Sequence, residues 1–197
     1  MTEPAGTPST GRPVAEPAGA HSAGRPVTEL ILGGARSGKS GYALAKTLAH
    51  DGPVFWLATA QAFDEEMQER IIRHKAERPA HWQTLEAPLQ LATALAQSQD
   101  QFCVIDCLTL WLSNWLCLDD LAGWAQEKQA FIAAAAAHRG TLLLVSNEVG
   151  FGIVPDNALA RLFRDEAGRL HQDIAKQAAN VTLVVAGVPM PVKRSEC

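Results

Sequence analysis

A short apolar run, Thr28-Glu29-Leu30-Ile31-Leu32, leads directly into Gly33-Gly34-Ala35-Arg36-Ser37-Gly38-Lys39-Ser40, and no other stretch constrains the fold so tightly. The eight residues match G-x-x-x-x-G-K-[ST] at every fixed position. In that pattern a strand-to-helix turn lets backbone N–H groups curl round a phosphate. A helix from Lys39 toward Ala49 aims its positive end at the same point. Lys39 can reach the β- and γ-phosphates as a point charge, and the Ser40 hydroxyl is placed to ligate Mg²⁺. A merely glycine-rich turn would not need a strand before it and a helix after it.

The rest of the chain continues that pattern. Short runs rich in Val, Ile, Leu or Phe recur at Val54–Ala58, Phe102–Ile105, Thr141–Val145 and Val181–Val185, as expected of strands buried on both faces. Longer helical patterns fit between them. The clearest spans about Asn157 to Ala178, where Leu159, Leu162, Phe163, Ala167, Leu170, Ile174 and Ala178 recur every three or four residues. The reading is an α/β fold with a mostly parallel central sheet flanked by helices. The apolar run Phe102–Ile105 ends in Asp106, which suits the acid that holds the metal of a nucleotide site; capping of the following helix is the alternative.

With 197 residues, 47% hydrophobic and 19% charged, the chain can bury one core domain with some chain to spare. The spare chain is at the front. Residues 1–27 are Pro, Gly, Ala, Ser and Thr-rich, lack hydrophobic periodicity, and contain a tandem copy, EPAGTPSTGRPVA then EPAGAHSAGRPVT, at a thirteen-residue period. They read as a disordered extension, leaving 28–197 as the folded domain. Seventeen Lys+Arg against twenty-one Asp+Glu give a net charge of −4, so no basic field is available to gather nucleic acid. No apolar run is long enough to span a bilayer and no secretory signal is evident, which makes the cytoplasm the expected location. Cys103, Cys107, Cys117 and Cys197 lack paired spacing, so neither a disulfide framework nor a zinc site is expected.

Phe63 to Arg78 reads as one helix with acids early and bases late. At ~100° per residue, Arg70, His74 and Arg78 form a row close to the azimuth of Phe63 and Met67. Cations sharing the inward side of a helix call for an anion or a carboxylate against them. Neutral imidazole attacks phosphorus well, and neighbouring cations offset the charge of the phosphate attacked. A lone histidine in a basic helix is otherwise a surface residue. Trp111 and Trp115, four apart on a helix, either stack on a flat ligand or pack between subunits, and packing is the commoner use. Asn147 and Glu148 follow the fourth expected strand at the sheet's carboxyl edge, where such folds place ligands; turn capping before Pro155 is the alternative.

Between about Glu29 and Lys193 the chain resembles the bifunctional adenosylcobinamide kinase/adenosylcobinamide-phosphate guanylyltransferase family of cobalamin biosynthesis. The resemblance rests on GGARSGKS, on LATAQAFDEEMQERIIRHKAERPAHWQTLEAP from Leu57, on DCLTLWLSN from Asp106, and on VSNEVGFGIVPDNALARLFRDEAGRLHQDIA from Val145. It implies a RecA-like P-loop fold, a homotrimer and two successive reactions. A nucleoside triphosphate, ATP or GTP, first phosphorylates the aminopropanol hydroxyl of adenosylcobinamide. GTP then transfers GMP to an enzyme histidine with loss of pyrophosphate, and adenosylcobinamide phosphate takes up the GMP to give adenosylcobinamide-GDP.

The resemblance places the guanylylated histidine at His74 and makes Lys39 the loop's catalytic cation. Nucleotide contacts fall on Gly33, Gly34, Ala35, Arg36, Ser37, Gly38, Lys39, Ser40, Thr59, Lys75, Arg78, Glu86 and Asp106, with Mg²⁺ at Ser40 and Asp106. Glu86, Asp106 and Glu148 are the candidates for the kinase base. His171 stands where relatives usually carry Asn, and the duplicated front segment is not a family feature. Loss of the kinase step, or a non-catalytic P-loop module, are the readings that compete with an enzyme of both activities.

Overall fold

The computed structural model describes residues 27–98 and 100–195, so the extension expected at the front lies, but for its last residue, outside the described residues. In chain order the elements are β1 (Thr28–Gly33), α1 (Lys39–Leu48), β2 (Val54–Ala58), α2 (Glu65–Ala76), β3 (Gln83–Glu86), α3 (Leu91–Gln97) and β4 (Phe102–Asp106). They continue with α4 (Leu108–Cys117), α5 (Leu121–Ala137), β5 (Leu142–Asn147), α6 (Ala158–Gln177), β6 (Asn180–Val185) and β7 (Val188–Lys193).

The strands form a seven-stranded sheet in the order β3-β2-β4-β5-β1-β6-β7. Every pairing is parallel except β6 with β7, which joins the antiparallel edge strand through a tight hairpin. Each central strand feeds both faces. In β1, Leu30 packs with Trp111, Phe131, Leu170 and Ile174 from α4, α5 and α6 on one side, and Ile31 packs with Ala43 of α1 and with Trp56 and Val145 on the other. Burial on both faces is why these strands read as continuous apolar runs.

Two strands were absent from the sequence reading. β3 is four residues long and mostly exposed, so it carries too little apolar signal to register. β7, Val-Pro-Met-Pro-Val-Lys, contains two prolines, which a central strand excludes and an edge strand tolerates. The helix from Asn157 forms nearly as expected, with the Asn157 side chain accepting from Ala160 N at 3.0 Å. Of its stripe only Leu159, in the first turn, stays exposed. His171 on the same helix is buried. Trp111 packs inside the chain's own core, edge-on to Trp124 and Phe131, and so is free for neither a flat ligand nor a partner subunit.

Candidate nucleotide and transfer site

The phosphate loop leaves the carboxyl end of β1 in the middle of the sheet. Gly38, at φ 95°, holds the left-handed conformation that glycine adopts without strain, and Tyr42 N donates to its carbonyl at 2.9 Å to start α1. Gly33 is needed for a different reason. A Cβ there would meet the Ser37 hydroxyl and lie 2.6 Å from the Val184 carbonyl, a backbone atom that cannot move aside. The turn between β6 and β7 braces the loop from below, with Gly187 N donating to Ser37 O at 2.8 Å. Gly34 and Arg36 stand open on its outer side. Lys39 is buried and donates to Gly34 O at 3.1 Å, and burial lowers its pKa from the usual lysine range.

Beside the loop, β4 ends in Asp106. Burial pushes this carboxyl above the ordinary range, against the opposing pull of His74, Arg78, Lys39 and Arg70. At the sheet's carboxyl edge this carboxyl faces four basic groups, not the end of a helix. The described structure gives it no cap bond, since α4 starts at Leu108 with Cys107 as its N-cap and no side-chain cap bond.

α2 lies across this edge. Asp64 caps it, accepting from Met67 N at 2.7 Å, and none of its residues is fully buried. The helix is shorter at both ends than the Phe63–Arg78 expected. Its inner side carries Met67, Ile71 and His74, with Arg78 just past its end, whereas Arg70 on the helix and Phe63 before it, expected on that side, are exposed at the cleft's wall. The reason is that α2 covers a cleft, not a packed core. His74 Nδ1 stands 4.0 Å from Asp106 Oδ2, an electrostatic contact short of a hydrogen bond. The Arg78 guanidinium lies over the Trp56 ring at 4.4 Å, and Trp56 in turn stacks on Trp82 at 5.8 Å. Arg78 Nε and Nη1 are buried without a hydrogen-bond partner, which leaves two charged donors beside Asp106 for an anion to satisfy.

These groups surround a cleft of about 570 Å³ whose lining includes Lys39, Ser40, His74, Lys75, Arg78, Glu86, Asp106 and Asn147. Lys75 and Glu86 bridge the rim, Nζ to Oε1 at 2.6 Å. Thr59 is fully buried, and its hydroxyl both donates to Cys107 O at 2.7 Å and accepts from Cys107 N at 2.8 Å. It pins the residue after Asp106 and does not face the cleft. Asn147 donates through Nδ2 to Thr109 Oγ1 at 2.9 Å and remains at the cleft. Glu148 instead accepts from Gly150 N at 2.5 Å and stands 3.9 Å from His171 Nδ1, which is the turn-capping reading. The His171 ring is 2.7 Å from Ser146 Oγ. No sequence signal marked that pair, because a polar contact between a strand and a helix far apart in the chain leaves no local pattern.

Strand order, loop and buried acid define a P-loop nucleotide-binding protein of RecA-like architecture. Solved structures agree on the fold: a prototypical ATPase from the type III secretion system of pathogenic bacteria aligns at TM-score 0.51 and 11% identity, over 82% of this chain and 51% of that one. A Pyrococcus horikoshii OT3 protein aligns at TM-score 0.52 and 9% identity, over 86% and 87%. Among sequences, the bifunctional adenosylcobalamin biosynthesis protein CobP of Pseudomonas aeruginosa is 50% identical over 169 residues, 84% of this chain and 96% of that protein. The bifunctional adenosylcobalamin biosynthesis protein CobU of Salmonella typhimurium is 42% identical over 180 residues, 83% and 98%, and its Escherichia coli counterpart 38% over 181. The model of the cobinamide kinase/cobinamide phosphate guanyltransferase family matches residues 29–192, and the chain belongs to that family.

Proposed function

We propose that His74 carries GMP between GTP and adenosylcobinamide phosphate, and that the same phosphate loop serves the preceding phosphorylation of adenosylcobinamide by a nucleoside triphosphate. One observation carries this reading: the His74 imidazole shares a cleft with Lys39 and Ser40 and stands 4.0 Å from Asp106. Nδ1 faces Asp106, which leaves Nε2 as the nitrogen free to attack. Attack on the α-phosphorus forms an N–P bond and breaks the bond to the bridging oxygen, and pyrophosphate leaves. An oxygen of the cobinamide phosphate then attacks the same phosphorus, the N–P bond breaks, and His74 is regenerated. The covalent intermediate divides one hard displacement into two and lets one nucleotide site serve two acceptors in turn.

The chain's own cations supply the electrostatic stabilisation. Lys39 and the unpartnered donors of Arg78 sit where charge accumulates on the phosphates. Gly33 to Ser40 cradle the triphosphate, Lys75 and Glu86 contact the nucleotide at the rim, and Thr59 acts through Cys107 by fixing Asp106. Ser40 and Asp106 offer a hydroxyl and a carboxylate, hard oxygen donors of the kind Mg²⁺ takes together with substrate phosphates. Bound there, Mg²⁺ supplies charge neutralisation at the phosphates. Asp106 is the carboxylate best placed to serve the kinase step, since Glu86 is paired with Lys75 and Glu148 is turned to Gly150.

The working unit is a homotrimer in the cytoplasm. Among the described residues no helix is long and apolar enough to cross a membrane. Phe151, Ile153 and Val154 stand exposed on the loop after β5, and Val188, Met190 and Val192 on the edge strand β7, two sets of bare apolar side chains that burial between copies would remove from water. The test is turnover: GTP and adenosylcobinamide phosphate should give adenosylcobinamide-GDP with stoichiometric pyrophosphate, and ATP should phosphorylate the dephosphorylated corrinoid. Product without a protein-bound GMP defeats the histidine route.

A further inference from the structure

Asn147 lines the cleft but takes no part in the reactions above. It ends β5, and the alternation of that strand fixes the side to which it points. Leu142 and Leu144 pack into the core on the side of α4, α5 and α6, Leu143 and Val145 on the side of α1. Ser146 follows the first set, with its hydroxyl against His171 of α6, so Asn147 follows the second and projects on the α1 side. On the neighbouring strand β4, Asp106 has the parity of Val104 and projects on that side too. Two adjacent strands end in an amide and a carboxyl beside the phosphate loop.

Register places the amide further along. Asn147 stands opposite Gly33, where the loop begins, while Asp106 stands opposite Val145, two residues earlier on β5. The Lys39 ammonium is folded back to within 3.1 Å of Gly34 O at that same end of the loop, and this ammonium is the group that reaches the β- and γ-phosphates. Asn147 therefore sits by the terminal phosphates. Its amide is also held in one orientation. Nδ2 donates to Thr109 Oγ1 at 2.9 Å, and the Asn147 backbone N donates to the same oxygen at 3.3 Å. Thr109 is itself buried in the first turn of α4, 3.3 Å from Cys107 Sγ. With the nitrogen so held, Oδ1 is left toward the cleft, bonded to no other group among the described residues.

We propose that Asn147 orients the attacking hydroxyl in the phosphorylation step and has no part in guanylyl transfer, an inference that rests on the reading above. An amide oxygen cannot pair with a phosphate oxygen, since both are acceptors; what it takes is an O–H donor. The acceptor's hydroxyl donates to Asn147 Oδ1, which turns a lone pair of the hydroxyl oxygen toward the γ-phosphorus. The new O–P bond forms, the bond from that phosphorus to the β,γ-bridging oxygen breaks, and the nucleoside diphosphate leaves. A neutral amide cannot keep the proton, which passes to Asp106 at the neighbouring strand end and from there to solvent. Guanylyl transfer needs no such group, because its two nucleophiles, the imidazole Nε2 of His74 and a phosphate oxygen, each bring a bare lone pair. Thr109 is the positioning residue, acting through the amide it holds.

The test compares full-length Asn147→Ala, Thr109→Val and Thr109→Ser with the parent, in ATP-dependent phosphorylation of adenosylcobinamide and in labelling of the protein by α-³²P-GTP. Asn147→Ala should lower the kinase kcat about hundredfold, the cost of a misaligned nucleophile, with the KM for ATP and the labelling rate within about threefold. Thr109→Val, which frees the amide to turn, should lower kcat by less, and Thr109→Ser should restore it. The double variant Asn147→Ala/Thr109→Val should be no slower than Asn147→Ala alone, as expected when one residue acts through the other. A kinase kcat within about twofold of the parent in Asn147→Ala overturns the assignment. So does an equal loss of labelling, which would make Asn147 part of the frame common to both reactions, or a raised KM for ATP at unchanged kcat, which would make it a nucleotide contact. A parent protein that takes label but phosphorylates no corrinoid defeats the kinase reading itself, and so is told apart from failure of the Asn147 role.

Discussion

Thr59→Val removes a hydroxyl and keeps the shape. In the structure that oxygen satisfies both backbone groups of Cys107, at 2.7 and 2.8 Å, in a site closed to water. Valine leaves the Cys107 N–H buried without its partner, while the Cys107 carbonyl keeps Trp111 N as a donor at 3.2 Å, so the variant should lose about 1–3 kcal/mol of stability. For a domain of this size, at ~2–4 °C per kcal/mol, that corresponds to a fall in Tm of roughly 2–12 °C. Thr59→Ser keeps the oxygen and should recover most of the loss. Urea unfolding followed by tryptophan fluorescence measures both, and nucleotide-dependent labelling at a temperature where the variant is folded reports whether Asp106 has moved. If Thr59→Val unfolds within about 0.5 kcal/mol of Thr59→Ser, Thr59 does not hold the strand end as described.

Other expectations follow from the same geometry. Gly33→Ala, whose Cβ would press on the Val184 carbonyl, should lower both stability and nucleotide affinity, whereas Gly34→Ala, with open space around it, should leave the melting temperature unchanged; equal melting temperatures would show that the loop yields. Lys39→Met should cut both the kinase and the guanylyl-transfer rates by about 10²–10³, the usual effect of losing one charge-stabilising donor, and a variant that loses only one activity would separate the two sites. Burial holds the His171 pKa below the ordinary histidine range, and His138 likewise. The unfolded chain then binds more protons than the folded one, so stability, full above pH ~6.5, should decline as pH falls below that value toward the folded pKa. His171→Asn should make the decline of the urea midpoint between pH 7.5 and 5.5 shallower, and an unaltered slope would place the coupling elsewhere.

How much of this was legible before the structure depended on whether a feature leaves a local pattern. The phosphate loop did, because its glycines answer to the backbone and its Lys39 and Ser40 to the phosphate, all within eight residues. The central strands did, since burial on both faces writes them as apolar runs. β7 did not: its two prolines disqualify a central strand, and only its place at the sheet's edge makes them tolerable. Spacing grouped Arg70, His74 and Arg78 but could not say that Arg78 would stack on Trp56 while Arg70 stays exposed. The resemblance placed Thr59 with the nucleotide contacts; its hydroxyl's engagement with Cys107, forty-eight residues away, is a tertiary fact with no local signature. The same holds for His171, whose contact with Ser146 joins a helix to a strand twenty-five residues away in the chain.

The central claim is that GMP travels on His74. Incubating the full chain with Mg²⁺ and α-³²P-GTP, digesting under alkaline conditions and sequencing the labelled peptide should place an acid-labile phosphoramidate on His74. Adding adenosylcobinamide phosphate to the isolated labelled protein should discharge that label into the corrinoid product. Label on another residue, or label on His74 that the acceptor cannot remove, would contradict the account.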